Sequence, residues 1–187
     1  MITIRSGKFK NKKLLTPDEP APANAGVRPT SDKIRQAIFN VLMHNDIAPA
    51  LSGANILDAF AGTGAMGLEA LSRGAAHAWF MEKNPAVRKI LAENLKMAGD
   101  QATLLTADAC APPTAPQPMD FIFLDPPYGK DLLPPAITAL HAAGWIGAET
   151  LLIIESDATE TIALPDGFET LDERKYGRTK ILFTKRN

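Results

Sequence analysis

The chain has 187 residues, 45% hydrophobic and 22% charged, the profile of one soluble globular domain with an appendage rather than of a disordered, fibrous or membrane protein. No apolar run approaches the ~20 residues of a membrane span, the opening Met1-Ile2-Thr3-Ile4-Arg5 has no signal-peptide apolar core, and the single cysteine, Cys110, excludes an internal disulfide and fits a reducing cytoplasm. The formal net charge of −1 is unevenly spread: residues 1–44 carry eight Lys/Arg against three Asp/Glu, residues 174–186 six against none, and residues 45–173 six against eighteen, so two basic ends flank an acidic body and suggest a polyanion surface.

The first fifteen residues alternate weakly around Gly7 and Asn11 and predict a short hairpin bearing Arg5, Lys8, Lys10, Lys12 and Lys13. Residues 16–29 are rich in Pro, Ala, Asn and Gly and read as a loop able to serve as a lid. A helix begins at Thr30 or Ser31, either of which can cap it, and carries Ile34, Ala37, Ile38, Val41 and Leu42 on one face. From residue 55 the pattern alternates, with strands near 55–60, 77–82, 102–107, 119–124 and 149–155 and helices near 65–73, 85–98 and 131–143. The strand cores are short and apolar, as in parallel strands covered on both faces, so this order predicts an α/β, Rossmann-like doubly wound sheet. Residues 111–118 hold four prolines and form a rigid connector. The chain closes on an antiparallel pair, Glu169–Lys175 and Lys180–Lys185, around Tyr176-Gly177. Residues 1–45 are assigned to a basic hairpin, loop and helix, and 46–187 to the sheet domain.

The run Asp58-Ala59-Phe60-Ala61-Gly62-Thr63-Gly64, followed by Gly67, is a strand end, a glycine turn and a helix start. Gly62, Gly64 and Gly67 match G-x-G-x-x-G, and Glu82 lies twenty residues on, so the dinucleotide fingerprint is satisfied and an NAD-dependent oxidoreductase is one candidate. Asp58 argues against it: a carboxylate at this strand end repels a pyrophosphate but attracts the sulfonium and ammonium groups of S-adenosylmethionine. Glu82 can accept from ribose hydroxyls in either cofactor, with Lys83 beside it, and Asp108, with Ala109, can receive the adenine amine. Ligands of open α/β sheets lie beyond the carboxyl ends of the strands, and Asp58, Glu82, Asp108 and Asp125 each fall at such an end.

Asp125-Pro126-Pro127-Tyr128 follows the apolar run Phe121–Leu124. The prolines donate no N–H and fix φ near −65°, and Pro126 keeps Asp125 out of the helical region. A stiff corner results, with one carboxylate, bare carbonyls and one ring, suited to gripping a flat base that carries an NH2. The lone pair of such an amine is delocalised into the ring. Asp125 and the Pro126 carbonyl can accept its N–H bonds and turn that lone pair toward a methyl group, while Tyr128 stacks on the base. The tetrapeptide alone leaves guanine N2 and adenine N6 open, and the basic ends alone also fit a non-catalytic RNA-binding module.

Taken together, Arg28–Asn40, the Phe60–Gly64 turn with Gly67–Ala75, and the late Tyr176-Gly177-Arg178-Thr179 resemble the RsmD family of class I S-adenosylmethionine-dependent methyltransferases. The resemblance implies methylation of the N2 amine of one guanine in 16S ribosomal RNA, within the small ribosomal subunit or its assembly intermediate, by a cytoplasmic monomer that uses no metal; Asp58–Gly64, Glu82, Lys83, Asp108 and Ala109 then hold the cofactor and Asp125–Tyr128 the base. Arg28, Arg35 and the hairpin cations are the RNA-contact candidates. The proline-rich 111–118 segment and the long 16–27 loop depart from the family pattern.

Overall fold

A computed structural model of the chain describes residues 2–17, 32–44, 47–127 and 129–187. The predicted helix-capping pair Thr30 and Ser31, most of the 16–29 loop, Arg28 and Tyr128 lie outside the described residues.

The expected N-terminal hairpin is present. Strand β1 (Ile2–Thr3) pairs antiparallel with β2 (Lys13–Leu14), and Gly7 and Asn11 both take positive φ, 77° and 69°. Gly7 is needed for a second reason: a Cβ there would lie 1.6 Å from the Ser72 carbonyl oxygen. The tip is thereby closed onto the end of the helix Ala65–Ser72, where the Lys8 amide donates to Ser72 O and the Phe9 amide to Ser72 Oγ.

Helix α1 (Asp32–His44) leads to the sheet, whose elements follow as β3 (Asn55–Asp58), α2 (Ala65–Ser72), β4 (His77–Met81), α3 (Pro85–Leu95), β5 (Ala102–Leu105), β6 (Phe121–Leu124), α4 (Leu133–Ala142), β7 (Leu151–Asp157), β8 (Phe168–Tyr176) and β9 (Thr179–Arg186). The Asn84 side chain caps α3, accepting from the Ala86 and Val87 amides, with Pro85 in the first helical position. That helix ends sooner than its periodicity predicts, and a short 3-10 turn, Gly99–Gln101, precedes β5.

The seven strands lie in the order β5-β4-β3-β6-β7-β9-β8. The first five are mutually parallel, and β9 runs antiparallel to both its neighbours. This is the doubly wound sheet that the alternating pattern predicts. The final strand, however, inserts between β7 and β8 instead of adding at the edge. The reason is hydrophobic: Ile181-Leu182-Phe183 is apolar toward both faces and fully or nearly buried, whereas β8 is largely polar and carries a register shift between Thr170 and Asp172, features that suit an edge.

Successive strand residues alternate between two cores. Ile56, Phe121, Phe123, Ile153 and Phe183 pack with the hairpin, α1, α2 and α3. Leu57, Ile122, Leu124, Ile154 and Leu182 pack with α4 and Trp145. Gly67 of α2 sits directly over β4, where an added Cβ would meet the Phe80 ring at 2.4 Å. The third glycine of the motif therefore serves close helix–strand packing.

A charged cluster joins the hairpin to this body. Arg35 is fully buried; its Nη2 donates to the Thr3 carbonyl at 2.6 Å and to Asp32 Oδ1 at 2.7 Å, and its Nε lies 3.5 Å from Glu69 Oε2. Glu69, also fully buried, accepts from Arg73 Nε and from the Arg5 amide. The expectation that Arg35 contacts RNA is corrected here. A guanidinium with no exposed surface, engaged with α2 and the hairpin, is a structural link.

Candidate active site

Strands β5, β4, β3 and β6 are neighbours and run in parallel, so Asp108, Glu82, Asp58 and Asp125 lie along one edge of the sheet. Three inter-strand spacings make that edge about 15 Å long. The strand order reverses between β3 and β6, and the crevice at such a switch point is where open α/β sheets bind ligands. The glycine loop leaves β3 and the Asp125 corner leaves β6, so topology sets both motifs on the two sides of one crevice.

The glycine loop is held by backbone bonds from Ala59 to the Phe123 carbonyl and from Ala61 to the Met81 carbonyl, both 3.0 Å. Gly62 and Gly64 adopt φ of 53° and 82°, the region that favours glycine. Ala59, Ala61 and Gly64 are buried, while Phe60, Gly62 and Thr63 are partly open. Asp58 is only 4% exposed and its Oδ2 accepts from the Gly67 amide at 3.0 Å, in the first turn of α2. Glu82 uses one oxygen for the Gly62 amide, at 3.1 Å, and the other for the Asn84 amide, at 2.7 Å. Each carboxylate oxygen retains a further lone pair. Asp108 accepts from the Cys110 amide and from Lys83 Nζ, at 3.0 and 2.9 Å, which holds its carboxyl below the usual range. Ala109 beside it is buried. Across the crevice, Asp125 and Pro127 are partly exposed and Pro126 is buried.

Asp58 titrates far from its ordinary value. Burial pushes its carboxyl up to about 7, the Gly67 N–H opposes this, and the nearby Glu82 charge adds to the rise. The folded chain thus holds a proton that the unfolded chain releases, so the contribution of Asp58 to stability falls as pH rises from about 3.8 through 7. Asp58→Asn, neutral throughout and still able to accept from Gly67, should match wild type near pH 4. It should become more stable than wild type toward pH 8 by something on the order of a few kcal/mol. Urea unfolding of the ligand-free protein across this range tests it; a pH-independent difference would show that Asp58 is charged throughout.

Two positioning features were not anticipated from sequence. Asn94 of α3, 3% exposed, accepts from the Leu15 amide and donates to the Leu15 and Thr63 carbonyls, at 2.8, 3.0 and 2.9 Å, so one amide ties the segment after the hairpin to the glycine loop. Its signal was available: Asn94 is a polar residue on the face of α3 shared by Leu91 and Leu95. Glu69 is likewise a lone acid on an otherwise apolar helix, four residues before Arg73.

The hairpin cations are spread over the surface. Lys8, Lys10, Lys12 and Lys13 are exposed. Lys8 reaches Gln101 and lies 4.8 Å from the Phe9 ring centroid, and Arg5 pairs with Asp32. The hairpin tip therefore rests at the far end of α2, away from the carboxylate row, and the segment after the hairpin is tied to the glycine loop through Leu15 and Asn94.

A family model described as Conserved hypothetical protein 95 matches residues 2–185. The Ribosomal RNA small subunit methyltransferase D of Escherichia coli K12 is 38% identical over 158 residues, 83% of this chain and 75% of that protein. The Haemophilus influenzae protein of the same name is 31% identical over 182 residues, 94% and 89% of the two chains. The solved Escherichia coli structure of yhhF aligns with a TM-score of 0.82 at 33% identity, covering 100% of this chain and 98% of that one. Sequence match along nearly the whole length, the reversed strand order and the glycine loop facing the Asp-Pro-Pro corner agree, and the chain belongs to the RsmD family of Rossmann-like methyltransferases.

Proposed function

We propose that this protein transfers a methyl group from S-adenosylmethionine to the N2 amine of one guanine in 16S ribosomal RNA, acting as a monomer in the cytoplasm on the small subunit or its assembly intermediate. The observation that carries the reading is the carboxylate row that ends, across the switch point, at Asp125-Pro126-Pro127. The relatives named for ribosomal RNA methylation support the substrate class.

The donor set suits this cofactor. Four carboxylates along one edge disfavour a pyrophosphate and favour a ligand bearing sulfonium and ammonium groups. Burial raises the Asp58 carboxyl to about 7, and a bound cation beside it would return that carboxyl to its charged form. Bound S-adenosylmethionine supplies the methyl group on a sulfonium centre. Asp58 and the Gly62–Gly64 backbone would hold its amino-acid end, Glu82 its ribose, and Asp108 with Lys83 and Ala109 its adenine.

The remaining chemistry belongs to the chain. The Asp125 carboxylate and the Pro126 carbonyl accept the two amine N–H bonds, which directs the nitrogen lone pair at the methyl carbon. Asp125 then stabilises the positive charge that develops on nitrogen, the surplus N–H proton leaves through that carboxylate to water, and Tyr128 stacks on a base turned out of its RNA stack, a contact worth roughly 1–3 kcal/mol. Arg5, Lys8, Lys10, Lys12, Lys13 and Arg28 supply the cationic contact to the RNA backbone.

The test is product identity. The protein is incubated with labelled S-adenosylmethionine and undermethylated small subunits, the RNA is digested, and the labelled nucleoside is identified by mass spectrometry. N2-methylguanosine is expected; N6-methyladenosine would move the substrate to adenine and leave the chemistry standing, and no transfer would overturn the assignment.

A further inference from the structure

The Asp125 corner has few backbone donors with which to fix itself. Pro126 and Pro127 have no N–H, so after Asp125 the next donors are the amides of Tyr128 and Gly129. The Gly129 amide donates to Glu160 Oε1 at 3.0 Å, across 31 residues of sequence. Gly129 itself has φ of 70°, so the chain turns sharply as it leaves the corner.

Glu160 is in turn built into the antiparallel end of the sheet. Its amide donates to the Asp157 carbonyl at 3.1 Å, and its own carbonyl accepts from Lys180 Nζ, a side chain that is 8% exposed. Asp157 ends β7 and is in register with Thr179 of β9, and the Ala158 amide donates to the Arg178 carbonyl at 2.9 Å. Asp157 Oδ1 closes the turn by accepting from the Thr159 amide and hydroxyl. A rigid turn thus presents one carboxylate to the residue that follows the catalytic tetrapeptide.

We infer that Glu160 is a positioning residue for methyl transfer: through the Gly129 amide it holds the Asp125-Pro126-Pro127 corner at the geometry in which the target amine meets the methyl group. The inference rests on the methyl-transfer reading above. It assigns the C-terminal strand pair a role as the buttress of the acceptor half of the site. Positioning of this kind acts on the chemical step, because a displacement of about 1 Å from near-attack geometry costs rate without loss of binding.

Three substitutions separate geometry from charge. Glu160→Ala removes the acceptor, Glu160→Asp keeps the charge but draws the carboxylate back by one methylene, and Glu160→Gln keeps an acceptor oxygen at the same reach. Single-turnover rates and KM values for S-adenosylmethionine and small subunits are measured, together with amide hydrogen exchange at Gly129. Glu160→Ala and Glu160→Asp should lower kcat about tenfold with both KM values within about twofold of wild type, and should speed exchange at Gly129, while Glu160→Gln restores most of the rate. Wild-type kcat in the Ala and Asp variants, a Gln variant as slow as Ala, or a change confined to KM would each overturn the inference. Should the Ala variant fail to fold, the Asp and Gln pair carries the same comparison. Asp125→Ala is run in parallel: if it keeps the wild-type rate the methyl-transfer reading itself fails, whereas loss there with normal Glu160 variants removes the buttress alone.

Discussion

Asp125→Ala should lower methyl transfer by about 10²–10³-fold, the scale on which loss of one charge-stabilising group slows a reaction, while S-adenosylmethionine binding measured by calorimetry stays near wild type. The two effects separate because Asp125 leaves β6 on one side of the switch point, whereas the glycine loop leaves β3 on the other. In the proposed mechanism the effect is large because an exocyclic amine lacks a free lone pair and the carboxylate would both redirect it and face the charge that forms. Asp125→Asn retains one acceptor oxygen without the charge and should fall between the two. A folded Asp125→Ala protein that binds cofactor and methylates at the wild-type rate would remove Asp125 from the chemistry.

Arg35→Ala should cost about 3–5 kcal/mol of folding stability, the usual penalty for breaking a buried ion pair from one side. The substitution leaves Glu69 buried with one cation fewer and releases the Thr3 carbonyl and Asp32. Arg35 Nε and Nη1 are buried and find no hydrogen-bond partner among the described residues, and the cost arises chiefly from the charge left behind on Glu69. Urea unfolding with an unchanged slope and a lowered midpoint checks it. Unaltered stability with weakened RNA binding would return Arg35 to the RNA surface.

These two residues also mark what sequence could and could not reveal. The Asp125 corner was legible because its stiffness is local: two prolines after an apolar run restrict the backbone there, whatever long-range bonds then orient it. Arg35 was not, because its position in an amphipathic helix fits a surface ion pair, an RNA contact or a buried link equally well. Only the packing of α1 against α2 and the hairpin decides among them. Glu160 left no sequence signal at all, since its partner is a backbone amide thirty-one residues away.

The sequence by itself determined the order and type of nearly every element, the doubly wound sheet, the hairpin turns at Gly7 and Asn11, and the alignment of Asp58, Glu82, Asp108 and Asp125 at strand ends. Those features follow from hydrophobic periodicity and turn chemistry, which act over a few residues. Tertiary structure decided the insertion of β9 between β7 and β8, the burial of Arg35 with Glu69, the turning of Asp58 toward Gly67, and the ties made by Asn94 and Glu160. Each depends on which surfaces meet once the strands are ordered: burial sets the charge state of Asp58, and long-range hydrogen bonds to backbone groups leave no local pattern to read.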